Sequence, residues 1–94
     1  VTLNTATREV RRGRQEIELA SKEYAVLEYL MRNPNRVLTR TQIAEHVWDY
    51  EFTTMSNVVD VYIRTLRRKL DDNQEPRLIK TIRGTGYQLH APAA

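Results

Sequence analysis

The 94 residues carry 15 Lys and Arg against 12 Asp and Glu, a formal charge of +3, with 40% hydrophobic residues and no cysteine. That length supports one domain around one small core, and the apolar share excludes a disordered chain. The absence of cysteine excludes disulfides and thiolate zinc sites and fits a reducing cytosol, and no apolar run nears the roughly 18 residues of a membrane span.

A pI of about 9.5 is a mild basic excess, and its placement says more than its size. Arg64, Arg67, Arg68 and Lys69 form one cluster; Arg8, Arg11, Arg12 and Arg14 form another. The chain opens on Val1 rather than Met and carries no signal peptide, which reads as a segment of a longer cytoplasmic protein.

Residues 1–19 have strand character. Val1 and Leu3 alternate with polar neighbours, as do Ile17 and Leu19, and Arg12-Gly13 marks a turn between Val10 and Ile17. Two or three short antiparallel strands are expected. The arginines here read as a solvated strand face rather than a polyanion contact.

A first helix is expected over 21–32. Ser21 reads as its N-cap with Glu23 in the positive first turn, and Tyr24, Leu27, Leu30 and Met31 recur at helical spacing. Asn33-Pro34-Asn35 should stop it. This stripe is core and receives no binding role.

The second helix, 40–48, has the clearest start signal. Thr39 and Gln42 stand as N-cap and N3 of a capping box, and Leu38 and Ile43 stand at the positions of a hydrophobic staple. Ile43, Ala44 and Val47 should be buried. The helix N-terminus and Arg40 suit a phosphate. Trp48, the only tryptophan, has two readings: core packing, or an indole N–H donor to a phosphate. Residues 49–55, with Tyr50 and Phe52, form a loop longer than a simple helix-turn-helix needs and suit a protein partner.

The third helix, 57–71, has two faces. Val59, Ile63, Leu66 and Leu70 fall on one stripe that can bury. The other side collects Asn57, Val61, Arg64, Thr65 and Arg68, with Val58 at its flank. Arginine forks suit phosphate and guanine edges, and a valine suits a thymine methyl, so this side reads as a surface for a DNA major groove. Asp60 reads as structural, paired within the helix to Arg64. Asp71 and Asp72 read as a solvated helix exit.

Residues 78–90 form a β-hairpin. Leu78, Ile79 and Ile82 are strand formers, Gly84-Thr85-Gly86 is a turn, Tyr87 and Leu89 lie on the return strand, and Arg83 sits close to the tip. Gly-x-Gly without a following Lys-Ser/Thr and helix is no phosphate loop. The fold class is α+β: a winged helix-turn-helix with a short N-terminal antiparallel sheet, three helices and a C-terminal β-hairpin wing. A wing arginine suits a narrow A·T minor groove.

The run VVDVYIRTLRRKLD, with LIKTIRGTGYQL after it, resembles the C-terminal effector domain of OmpR/PhoB-type response regulators, and KEYAVLEYLMRNPNRVLTRTQIAEHVWD resembles its first two helices. The resemblance spans essentially the whole chain. It implies that Val58, Val61, Tyr62 and Thr65 face bases, with Arg68 joining them from the groove rim. It implies that Asn57, Arg64 and Arg67 face phosphates, that Arg83 enters the minor groove, and that Thr81, Tyr87 and Trp48 meet the backbone. It further implies binding to direct repeats of double-stranded DNA, a contact of 49–55 with RNA polymerase, and a phospho-accepting receiver domain elsewhere in the full-length protein. Thr65 and Tyr62 stand where some members carry arginine or histidine, so no known operator carries over.

Two other functions fit these residues less well. A protein-docking winged helix would show larger apolar residues on the third helix. An enzyme would need more than His46 and His90, which stand apart with no nucleophile or metal spacing beside them. No cofactor, metal or membrane partner is expected.

Overall fold

The computed structural model describes residues 2–48, 58–70 and 78–90. The N-terminal stretch forms β1 (Thr2–Asn4), β2 (Glu9–Arg12) and β3 (Gln15–Ile17), an antiparallel sheet in the order β1-β2-β3. Leu3, Val10 and Ile17 are register partners across it, and Val10 and Ile17 are buried. Between β2 and β3 the loop is Gly13-Arg14, with Gly13 at φ +62. A positive φ at the first of two loop residues is the type II′ pattern, whose twist suits a hairpin.

Arg12 departs from the expected solvated face. It follows Val10 by two residues, so it shares the inner face; it is buried, and its Nη1 donates to the Leu70 carbonyl.

Helix α1 (Ser21–Arg32) has its N-cap one residue earlier than expected. Ala20, not Ser21, is the N-cap, and its backbone N–H donates to Glu23 Oε1 at 2.9 Å. Only the N3 half of a capping box is present, because alanine offers no acceptor. The helix ends at Asn33, whose Nδ2 donates to the Tyr29 carbonyl at 2.9 Å. Pro34 then follows, and Asn35 turns the chain at φ +63.

Leu38–Thr39 form β4, a short strand, immediately before α2 (Arg40–Val47). The Thr39–Gln42 box is complete: Gln42 N–H donates to Thr39 Oγ1 at 3.0 Å, and Thr39 N–H donates to Gln42 Oε1 at 2.9 Å. Leu38 and Ile43 are both buried in the one core cluster. At the other end, Lys22 Nζ donates to the Val47 carbonyl at 2.9 Å, supplying a cation to the negative end of the helix.

Helix α3 (Val58–Leu70) buries Val59, Ile63, Leu66 and Leu70, the stripe its spacing dictates. Its C-terminus is fastened twice, by Arg12 on the Leu70 carbonyl and by Lys69 Nζ on Glu23 Oε1 at 2.6 Å. Burial pushes the Glu23 carboxyl up, but the hydrogen bonds from Lys69 and from Ala20 N–H outweigh it and hold the group below its ordinary range.

The wing is β5 (Ile79–Ile82) and β6 (Gly86–Leu89) around Arg83–Thr85. Thr85 N–H donates to the Ile82 carbonyl at 3.0 Å, and Gly84 sits at φ +76, the left-handed region a type II turn requires at its third residue. The hairpin does not stand alone. β4 pairs with β6, giving a second sheet in the order β4-β6-β5. Gly86 is therefore a strand residue, not part of the turn. A Cβ there would lie 2.0 Å from the Leu38 carbonyl oxygen. Only glycine lets the two backbones approach so closely.

Gly86→Ala should accordingly destabilise by about 3 kcal/mol or more, because backbone must move. Gly84→Ala, whose Cβ meets nothing within 4 Å, should cost only its left-handed strain, roughly 1–2 kcal/mol. Urea unfolding of the two variants checks the order; the reverse order would contradict the β4–β6 approach.

Candidate nucleic-acid interface

Packing α3 by its aliphatic stripe turns the opposite side outward. Val61 is 48% exposed, and Arg64 and Arg68 are exposed one turn apart. Neither arginine hydrogen-bonds another described residue. Thr65 is half-buried, and its hydroxyl donates to the Val61 carbonyl at 3.2 Å. Val58 is half-buried against the core. Tyr62, also half-buried, meets Trp48 edge-on with centroids 4.9 Å apart. Trp48 itself is buried, so core packing is the role its surroundings support.

Beside this surface lies a polar hub. Asp60 accepts from Arg40 Nε at 2.8 Å and from the Tyr87 hydroxyl. The expected intrahelical pair with Arg64 is replaced: Asp60 reaches across to α2 and the wing, and Arg64 acts on it only through charge. Burial pushes the Asp60 carboxyl up; the Tyr87 and Arg40 hydrogen bonds and the Arg40 charge prevail and hold it below the ordinary carboxylate range. Burial and the adjacent carboxylate push the Tyr87 phenol up.

Arg67 is drawn into the same hub. Its Nε donates to the Ile79 carbonyl at 3.2 Å, its Nη2 donates to Thr81 Oγ1, and its guanidinium lies 5.6 Å from the Tyr87 ring centroid. Arg40 lies 5.3 Å from the same centroid. Cations near an aromatic face are attracted to it, so Tyr87 is held by both. The wing is thus fastened to α3 and α2 through side chains as well as through its strand pairing with β4.

The sequence-derived set divides on these contacts. Val61, Thr65, Arg64 and Arg68 share the outward side of α3, and Arg83 is exposed in the wing turn. Arg40, Arg67, Thr81 and Tyr87 come together around Asp60 and make intramolecular bonds. Tyr62 and Trp48 pack on each other. Asn57 and the 49–55 loop lie outside the described residues, as do Asp71 and Asp72. Sequence reasoning missed Arg12, whose signal was its two-residue spacing from Val10. It also missed the Arg40–Asp60 pair, which no local spacing announces.

Residues 14–89 match the family described as "Transcriptional regulatory protein, C terminal". The chain belongs to the family of C-terminal effector domains of OmpR/PhoB-type response regulators. It is 52% identical over 89 residues to the response regulator MprA of Mycobacterium bovis, a match covering 95% of this chain and 39% of that protein. It therefore spans about two-fifths of the length of such relatives. Among solved structures it resembles DrrB, an OmpR/PhoB homologue of Thermotoga maritima, with a TM-score of 0.83 and 31% identity over 95% of this chain and 41% of that one. It also resembles the RstA DNA-binding domain of Klebsiella pneumoniae in complex with the RstA box, with a TM-score of 0.78 and 29% identity over 94% and 88% of the two chains. These are winged-helix domains, and the α+β winged-helix class expected from the order of elements is the class found.

The Asp60 hub gives this effector domain a defined acid sensitivity. Because its carboxyl titrates lower when folded than when unfolded, its stabilisation is present above an ordinary carboxylate pKa of roughly 4 and fades as pH falls through the folded value. Asp60→Asn should be less stable at neutral pH and should show a shallower loss of stability on acidification. Urea unfolding across an acid pH series checks this; parallel curves for the two proteins would contradict it. Glu23, also held below its ordinary range, should contribute to the slope that remains in Asp60→Asn.

Proposed function

We propose that this chain binds double-stranded DNA sequence-specifically, as the effector half of a cytoplasmic response regulator that controls transcription. Helix α3 enters the major groove with Val61, Thr65 and Arg68 towards bases and Arg64 towards phosphate. The wing turn carries Arg83 to the neighbouring minor groove. One observation carries the reading: the exposed side of α3 holds Arg64 and Arg68 free of hydrogen bonds to other described residues, around an exposed valine. A side chain with no intramolecular partner is available to a polyanion, and arginine forks match phosphate and guanine. The RstA domain, solved with its DNA box, shows that this fold in a relative engages a duplex. Among the described residues no helix is long and apolar enough to cross a membrane, and no cluster of side chains suits a metal.

Recognition of this kind needs no covalent step. Phosphate contacts set the register, and a few side chains read bases. Two copies on direct repeats, brought together by receiver domains, would multiply a small single footprint into useful affinity. Arg40 and Arg67 belong to a different group. Bonded to Asp60 and to the wing, they hold the reading surface in shape and reach phosphate only at the cost of those bonds.

Selection from random duplex DNA at two salt concentrations tests the proposal; failure to enrich any sequence would sink it. On the enriched duplex, Arg64→Ala should weaken binding equally across sequences and lower the salt slope by about 1. An effect confined to one base pair would contradict the phosphate role. Arg83→Ala should weaken binding most where the flanking minor groove is A·T-rich, since a narrow groove concentrates negative potential. Equal loss on all flanks, measured by titration of matched duplexes, would contradict the minor-groove placement.

A further inference from the structure

We infer that Val61 and Thr65 together form a subsite for the C5 methyl group of a pyrimidine, thymine in ordinary DNA, and that Thr65 reads through its methyl rather than its hydroxyl. The inference rests on the major-groove placement of α3 proposed above.

Val61 and Val37 are the exposed large hydrophobic residues among those described, at 48% and 39%. A lone exposed valine needs no explanation. Val61 is not alone, because Thr65 stands four residues on, on the same side of the helix. A threonine hydroxyl has one proton. Here it is given to the Val61 carbonyl at 3.2 Å, inside the helix's own backbone. Thr65 can donate to the O6, O4 or N7 acceptors that distinguish guanine, thymine and adenine in the major groove only by giving up that bond. With the bond kept, what it offers is a methyl group and hydroxyl lone pairs.

The methyl is the better match to its surroundings. Side chains four apart have Cβ atoms about 5–6 Å apart, so the two form a continuous apolar patch spanning one to two base steps. The major groove presents one apolar feature, the C5 methyl of thymine. Arg64 follows Val61 by three residues and Arg68 follows Thr65 by three, so a guanidinium borders the patch at each step along the helix. The arrangement suits a methyl-bearing pyrimidine whose neighbours are guanines or phosphates. Accepting an amino proton through the hydroxyl would instead bring a cytosine or adenine N–H against Val61, which satisfies none of its hydrogen-bonding capacity.

The test uses the duplex enriched from random DNA, with each thymine replaced in turn by deoxyuridine. That change removes only the methyl and keeps the base pair. One or two adjacent thymines should each cost about fourfold in affinity on losing it, the scale of one buried methyl-sized group. Thr65→Val, which keeps the methyl and removes the hydroxyl, should retain the discrimination. Thr65→Ser, which keeps the hydroxyl and removes the methyl, should lose it at one thymine, with circular dichroism confirming that both variants fold. The inference is overturned if no replacement costs more than about twofold, if Thr65→Val loses the discrimination, or if Thr65→Ser retains it. Those outcomes leave DNA binding intact, whereas the absence of any enriched duplex defeats the underlying proposal itself.

Discussion

Asp60 lies where α2, α3 and the wing converge, and its carboxylate takes hydrogen bonds from Arg40 and from Tyr87. Three elements that share little backbone hydrogen bonding are thereby given one common anchor. The charge balance explains why an acid belongs inside a basic helix. Arg40 and Arg67 both sit over the Tyr87 ring, and two like charges so placed repel each other. A carboxylate bonded to one of them and to the tyrosine offsets that repulsion, and it keeps the wing at a fixed distance from α3. Under the proposed docking of α3 and the wing in neighbouring grooves, such a fixed distance spares the ordering cost that loose geometry would add to every encounter.

The basic residues of this chain thus do two kinds of work. Some complete the fold. Arg12 and Lys22 satisfy carbonyls at the C-termini of α3 and α2, where the helix dipole favours a cation, and Lys69 ties α3 to the start of α1. Arg67 bonds the wing strand. Others, Arg64, Arg68 and Arg83, stay exposed. A formal charge of +3 conceals this division. What matters to a polyanion is the subset left exposed, two of which, Arg64 and Arg68, lie one turn apart on the outward side of α3.

The wing depends on a second close approach. β4 is only Leu38–Thr39, yet it pairs with β6 just before Thr39 caps α2. Thr39 therefore serves a strand and a helix at once, and Gly86 makes room for it. The same short segment sets the entry of α2 and the seat of the hairpin. A change in either is felt by the other.

Whatever depends on neighbours along the chain was legible before any coordinates. The α3 stripe of Val59, Ile63, Leu66 and Leu70 follows from helical period, the Thr39–Gln42 box from hydrogen-bonding capacity at a helix start, and the hairpins from glycine at turns. The outward side of α3 followed in turn, because a helix that buries one stripe must expose the other. What only the tertiary structure decided are the pairings between distant residues: Asp60 with Arg40 and Tyr87, Arg12 with Leu70, Gly86 against Leu38. Periodicity assigns a charged side chain to a face but does not say what packs opposite it. The partner of Asp60 could be read as Arg64 from spacing alone, and became Arg40 because α2 crosses α3 at that point. Local sequence sets which residues face in and which face out; the crossing of elements sets which cations are consumed by the fold and which are left facing solvent.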